Sequence, residues 1–190
     1  YQESNASKTG PLVYVLALAF VFLSLAALYE SWGLPLAILL SVPLAVLGAL
    51  AFVGLAHLID PLFANNIYMQ ISLVMLIGLA AKNAILVVEY ADRLFNEKGL
   101  SLMDAAIGAA KLRVRPIIMT AFAFILGVMP LVFASGVYAT ARNIMGVALV
   151  GGMLFATLLG IFVYPALYYF VGRIGNFERR RERKKQEEKL

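Results

Sequence analysis

Long uncharged runs constrain this chain more than any other feature. Residues 9–29 give 21 uncharged residues, residues 33–59 give 27 more, and residues 144–172 also carry no charge. A helix needs only about 20 predominantly apolar residues to cross a bilayer. The runs therefore predict membrane-spanning helices.

The composition supports the same class. Hydrophobic residues make up 62% of the chain and charged residues 14%, whereas soluble domains are usually about 45–50% apolar. Cysteine is absent and there is one histidine, which excludes disulfides and thiolate metal sites and argues against any metal site. We expect an all-α polytopic membrane protein with no cofactor and no enzymatic activity.

Five transmembrane helices fit the pattern of apolar runs and turns. The first ten residues are polar and resemble the end of a preceding folded domain, so we expect a fragment of a longer protein. Residues 92–114 are expected to form a helical loop on the cytoplasmic side, and residues 173–190 a basic cytoplasmic tail. The predicted spans are about 11–31, 34–58, 67–91, 115–134 and 143–172.

Local signals refine this pattern. Pro43 falls inside the second span and predicts a kink. Ser101 and Asp104 have the spacing of a capping box at the start of a short helix. Small residues recur at four-residue spacing in the fifth span, as in closely packed membrane helices: Gly152, Ala156 and Gly160.

The basic residues predict the orientation. Lys8 and Arg142 lie on one side of the five spans, and thirteen lysines and arginines lie on the other, eight of them in the tail. By the positive-inside rule the C-terminus is cytoplasmic and Tyr1 lies outside. The basic tail is explained as a solvated juxtamembrane stretch, without a nucleic-acid partner.

Lys82 lies inside the third predicted span. A lysine at the centre of such a helix costs about 2.5–3.5 kcal/mol, whereas eleven Leu, Ile and Val residues between Ile67 and Tyr90 supply about 3–7 kcal/mol. The helix can therefore insert with its charge. An intramembrane charge indicates a functional site, although a lysine can also reach toward the headgroups.

No carboxylate of the sequence is placed to neutralise Lys82. All eleven acidic residues are predicted to lie on one side of the membrane or the other, and none is predicted at the midplane. Glu89 shares a helix face with Lys82 but lies about 10.5 Å along the axis. We therefore expect a segment outside this sequence to supply the partner.

Arg113 and Thr120 extend the candidate site. They are seven residues apart and share a helix face, with Arg113 at the cytoplasmic mouth. Together with Lys82 and Asn83 they resemble the lining of a proton relay. Two simpler interpretations stay open: Arg113 as one of the positive-inside charges, and Thr120 bonded to its own helix backbone.

Four motifs together resemble the resistance-nodulation-division family of drug/proton antiporters. The resemblance is to the hydrophobe/amphiphile branch, the AcrB-like pumps, and covers essentially the whole chain. The motifs occur in the order and spacing of that family: LYESW at 28–32, GLAAKNAIL at 78–86, RVRPIIMT at 113–120 and LGVMPL at 126–131.

The resemblance implies the eighth to twelfth helices of a twelve-helix pump with two pseudo-repeated halves. It also implies that Lys82 and Asn83 match a lysine and an asparagine beside a proton-carrying aspartate pair on another helix, absent here. Arg113 and Thr120 match the remaining relay residues. Metal exporters of the superfamily typically lack the lysine, which favours amphiphilic drugs as substrates.

The resemblance further implies a bacterial inner-membrane homotrimer. Its partners would be protons, amphiphilic drugs bound by domains absent from this chain, a periplasmic adaptor protein and an outer-membrane channel. Two alternatives remain: a membrane anchor or assembly component in which Lys82 pairs for stability, and a lipid- or metal-exporting relative with the same helix bundle.

Overall fold

The described part of the chain is entirely helical. The computed structural model describes the backbone of residues 2–29, 32–59, 61 and 67–174, and their side chains except those of residues 2–13 and 59. The predicted all-α class is confirmed, since these residues contain no strand. The helices are α1 (Gln2–Tyr29), α2 (Gly33–Leu39), α3 (Val42–Ile59), α4 (Ile67–Asn96), α5 (Leu102–Val132), α6 (Ala139–Leu158) and α7 (Gly160–Ile174).

Four stretches of the described chain are long and apolar enough to cross a membrane. They are Gly33–Leu58, Ile67–Asn96, Leu102–Val132 and Ala139–Leu158. The stretch Tyr14–Tyr29 of α1 adds a shorter apolar helix. The architecture is that of a membrane helix bundle. The connection at 30–31, most of the turn at 60–66 and the tail from residue 175 lie outside the described residues.

Two of the stretches predicted as single spans are interrupted. The second divides at Leu40 and Ser41, just before Pro43, where the missing proline N–H leaves one backbone carbonyl without its helical donor. The kink expected at Pro43 thus takes the form of a break between α2 and α3. The stretch predicted as one span over 143–172 begins earlier, at Ala139, and divides at Leu159.

Helix α5 is longer than the span predicted for it. Most of the loop expected over 92–114 joins this helix, so the predicted short helix is not separate from the span that follows. The Ser101 hydroxyl caps its start by accepting from the Asp104 amide at 3.1 Å, as the capping-box spacing predicts. At 31 residues the helix is about 46 Å long and exceeds the roughly 30 Å hydrocarbon layer.

Within the described residues the bundle has two main apolar cores, one toward each end. We call the end where α4 and α7 finish and α5 begins the basic end, because it carries Arg93, Lys111, Arg115 and Arg173. The core at the basic end joins α1, α2, α4, α5 and α7, and includes Ile38, Ala81 and Tyr164. The core at the opposite end joins α3, α4 and α6. In α4 the boundary falls between Ala80 and Ala81.

Glycines allow α3 and α6 to pack in close contact. A Cβ on Gly48 would overlap the Phe155 side chain and lie 2.7 Å from the Gly151 carbonyl oxygen. A Cβ on Gly152 would lie 3.0 Å from the Ala45 carbonyl oxygen. Helix packing at Gly152 agrees with the small-residue pattern. The third member of that pattern, Gly160, differs, because it accommodates a side chain of its own helix.

Candidate functional site

Lys82 lies on an exposed face of α4. Ile71 and Met75 share this face and are 48% and 46% exposed, and Gly78 between them and Lys82 is also exposed. A Cβ on Gly78 would meet nothing within 4 Å. Among the described residues, no carboxylate lies within ion-pair distance of the Lys82 ammonium. The face is therefore apolar around the Lys82 cation.

Asn83 points to the opposite side of the helix, into the bundle. Adjacent residues of an α-helix are rotated by about 100°, which accounts for the contrast between an exposed Lys82 and an Asn83 that is 2% exposed. The side-chain nitrogen of Asn83 is buried and has no hydrogen-bond acceptor among the residues that the structure describes. A buried donor without a partner is costly and rare in native proteins, so this amide marks a place where a partner is needed.

Arg113 packs on an aromatic ring that sequence reasoning did not include in the site. The Cζ atom of its guanidinium lies 4.5 Å from the centroid of the Tyr90 ring on α4, a cation–π geometry. The Nε atom of Arg113 is buried and has no hydrogen-bond partner within the described part of the chain. The contact could not be found from sequence, because it depends on the register between α4 and α5.

Thr120 is exposed on α5, and its hydroxyl donates to the Ile117 carbonyl at 3.0 Å. This is the backbone bond that intramembrane threonines often make, one of the two interpretations left open by the sequence. The hydroxyl oxygen keeps lone pairs that can accept a further hydrogen bond.

The four candidate residues lie in two layers of the α4 and α5 pair. The contact between Arg113 and Tyr90 sets the register of these antiparallel helices. Thr120 lies seven residues after Arg113, and Asn83 lies seven residues before Tyr90. Because the two helices are antiparallel, Thr120 and Asn83 lie at the same depth, and Lys82 precedes Asn83 in the sequence. All four are described residues, and no hydrogen bond or ion pair joins any two of them. The site is thus a set of separated groups at neighbouring depths.

Carboxylates further along α4 bind elsewhere. Glu89 accepts from Arg93 at 2.7 Å, and Asp92 accepts from the Asn96 side chain at 2.9 Å. Both contacts are exposed and lie at the basic end. Glu89 therefore pairs with Arg93, one turn further along α4. The structure describes all of α4, and within this helix the Lys82 ammonium has no partner.

An ammonium on an apolar helix face of this kind could be neutralised by an acid from outside the described residues. In a low-dielectric surrounding an unpaired charge is strongly disfavoured, whereas a carboxylate at contact distance stabilises it. Changes in the charge of that carboxylate would then act directly on Lys82. The arrangement suits a proton-responsive charge pair.

Comparison with known proteins gives consistent matches. The model of the AcrB/AcrD/AcrF family matches residues 1–172. The chain is 48% identical over 174 residues to the toluene efflux pump membrane transporter TtgB of Pseudomonas putida, covering 92% of this chain and 16% of TtgB.

Two further relatives agree with these matches. The chain is 46% identical over 171 residues to the multidrug resistance protein MdtF of Escherichia coli, covering 90% of this chain and 16% of MdtF. It is 45% identical over 174 residues to the solvent-resistant pump membrane transporter SrpB of Pseudomonas putida, with 92% and 16% coverage. The chain thus spans about a sixth of the length of these relatives.

Proposed function

The chain belongs to the AcrB/AcrD/AcrF family, and from this membership we propose that it is the C-terminal transmembrane part of a proton-driven exporter of drugs and other amphiphilic compounds. Its similarity to TtgB, MdtF and SrpB, which are named as efflux, resistance or solvent pumps, supports export as the activity. Proton coupling is inferred from the Lys82 ammonium. This group lies on an apolar helix face and has no carboxylate partner among the described residues.

In the proposed mechanism Lys82 responds to acids on another helix of the pump. While these acids are ionised, the ammonium is held by them; when they take up protons, the attraction is lost and Lys82 turns toward other neighbours. Asn83 and Thr120 lie at the same depth, and Arg113 lies toward the basic end. The four residues together supply the Lys/Arg/Thr half of the proton relay.

The proposed orientation places the basic end in the cytoplasm and α1 entering from the periplasm, because basic residues concentrate at one end. The pump would be an inner-membrane homotrimer that works with a periplasmic adaptor and an outer-membrane channel. Substrates would be bound by parts of the pump beyond this chain.

A vesicle experiment tests the proposed activity. The complete pump is reconstituted in liposomes with a pH-sensitive dye and a fluorescent amphiphile, and a pH gradient is imposed. We expect the gradient to drive amphiphile movement, and an added amphiphile gradient to move protons. Amphiphile transport without proton movement would contradict the coupling, and the absence of both in a correctly inserted pump would favour the anchor interpretation.

Thr120 allows the relay to be separated from a structural role. We expect Thr120→Val in the complete pump to lower proton-driven efflux about tenfold or more, because the hydroxyl is lost while the shape is retained. Thr120→Ser keeps the hydroxyl and is expected to retain most activity. Efflux rates in reconstituted vesicles and thermal stability are compared for both variants. Full activity of Thr120→Val would remove Thr120 from the relay.

A further inference from the structure

The two helix interruptions lie opposite each other in the bundle. Helix α3 packs antiparallel along α6, and α2 packs along α7. Close contacts of Gly48 with Gly151 and Phe155 place Gly48 about level with Gly152. Ser41 lies seven residues from Gly48 toward the basic end, and Leu159 lies seven residues from Gly152 in the same direction. The break between α2 and α3 therefore faces the break between α6 and α7.

Each break has its own local hydrogen bonds. At the first, the Ser41 hydroxyl and the Ser41 amide both donate to the Ile38 carbonyl, and Ser41 is completely buried. At the second, the Leu159 carbonyl accepts from the amides of both Phe162 and Val163, at 3.1 and 3.0 Å. Leu40 and Leu159 keep right-handed helical backbone angles, so each break is a local change in the hydrogen-bond pattern of the helix and not an unwound segment.

A side chain closes the second break. The Tyr164 hydroxyl donates to the Ala156 carbonyl at 2.8 Å, the carbonyl that in a continuous helix would accept from the residue 160 amide. Tyr164 is 1% exposed. A Cβ on Gly160 would overlap the Tyr164 ring and lie 2.5 Å from its hydroxyl oxygen. Gly160 therefore makes room for the ring that stabilises the break.

Asn83 lies at the level of this junction. Leu76 and Asn83 are seven residues apart on α4 and share a face, and a Cβ on Gly152 would overlap the Leu76 side chain. Because α4 and α6 run in the same direction, Asn83 is level with Leu159, seven residues after Gly152. The buried amide of Asn83 has no acceptor within the described chain. Asn83 follows Lys82 directly in the sequence and lies at the same level as the two breaks.

We propose that the facing breaks at Leu40–Ser41 and at Leu159 form one hinge, closed by the hydrogen bond from Tyr164 to Ala156. The hinge lets α2 and α7 move together against α3 and α6, about the boundary between the two cores. Its role in the transport cycle rests on the proposed function: reorientation of Lys82 turns α4, the helix on which Asn83 lies level with the junction. The hinge itself does not depend on that activity.

Hydrogen exchange of the complete purified pump, followed by mass spectrometry, tests the closure. We expect the amides of residues 159–163 to exchange about tenfold faster in Tyr164→Phe, the factor expected when one buried hydrogen bond is lost. Tyr169→Phe makes the same chemical change five residues further on and is expected to exchange like the parent. Gly160→Ala should reproduce the faster exchange, because its Cβ displaces the ring. Unchanged exchange in Tyr164→Phe and Gly160→Ala would overturn the closure.

A variant at the other break tests whether the two form one hinge. Ser41→Ala removes a hydroxyl bond beside α2 and is expected to speed exchange at residues 159–163 as well as 40–44. Faster exchange at 40–44 alone would show two independent breaks and overturn the pairing.

Transport measurements then separate the hinge from the proposed function. In vesicles, Tyr164→Phe is expected to change the rate of proton-driven efflux severalfold. Faster exchange with an unchanged efflux rate would overturn the role of the hinge in transport. Should the parent pump move no protons, the proposed function fails, while the exchange results still decide whether the hinge exists.

Discussion

Replacement of Lys82 with alanine in the complete pump is expected to lower proton-driven efflux by about a hundredfold or more. Removing one partner of a membrane-embedded ion pair leaves the other charge uncompensated, at a cost of about 3–5 kcal/mol. The acids that Lys82 would pair with then stay protonated, and the protonation cycle stops. Efflux in vesicles and drug susceptibility of cells that carry the variant measure the loss.

Insertion and assembly of this variant are expected to be normal. Alanine is the best helix former, and its insertion avoids the cost of a charge at the membrane centre. Lys98→Ala, which removes an exposed lysine from the link before α5, serves as the matched control and should pump at the parent rate. Efflux retained in Lys82→Ala would reject the relay, and loss of assembly would support the anchor interpretation.

Gly48→Ala is expected to destabilise the bundle by about 1–3 kcal/mol, the range for an extra methyl group in a well-packed interior. The new Cβ would overlap Phe155 and lie 2.7 Å from a backbone oxygen of Gly151, and a backbone oxygen cannot move aside as a side chain can. The fraction of the detergent-solubilised pump that stays folded after heating gives the measurement.

Gly54→Ala on the same helix is the control. A Cβ at Gly54 meets nothing within 4 Å, and alanine is favoured over glycine within a helix by about 1 kcal/mol. This variant should therefore be as stable as the parent or slightly more stable. Equal heat resistance of the two variants would contradict the close packing of α3 on α6.

Sequence alone was sufficient for the class, the family and one of the two helix interruptions, but not for the other. Uncharged runs predict spans because lipid imposes a minimum apolar length, and Pro43 signals the break before it. No proline lies directly at Leu159, and the nearest, Pro165, lies inside α7. At that break the Tyr164 hydroxyl donates to the Ala156 carbonyl, a contact across eight residues that no spacing rule identifies.

The candidate site shows the same limit. The cost of a charge in a membrane selects Lys82 from sequence, and helix periodicity relates Arg113 to Thr120. The burial of Asn83 and the Tyr90 ring beneath Arg113 depend on which faces of α4 meet α5 and α6. The relay role of these residues stays a prediction until the variants are measured.

The boundary between the two cores has a consequence for how such a chain can diverge. Effects of substitutions at distant sites without shared partners usually add, whereas neighbours in one packed cluster influence each other. Because the cores meet between Ala80 and Ala81, most substitutions toward one end leave the packing at the other unchanged. Substitutions in the two halves are therefore expected to add in their effects on stability, and coupled effects are expected at the few residues beside Lys82.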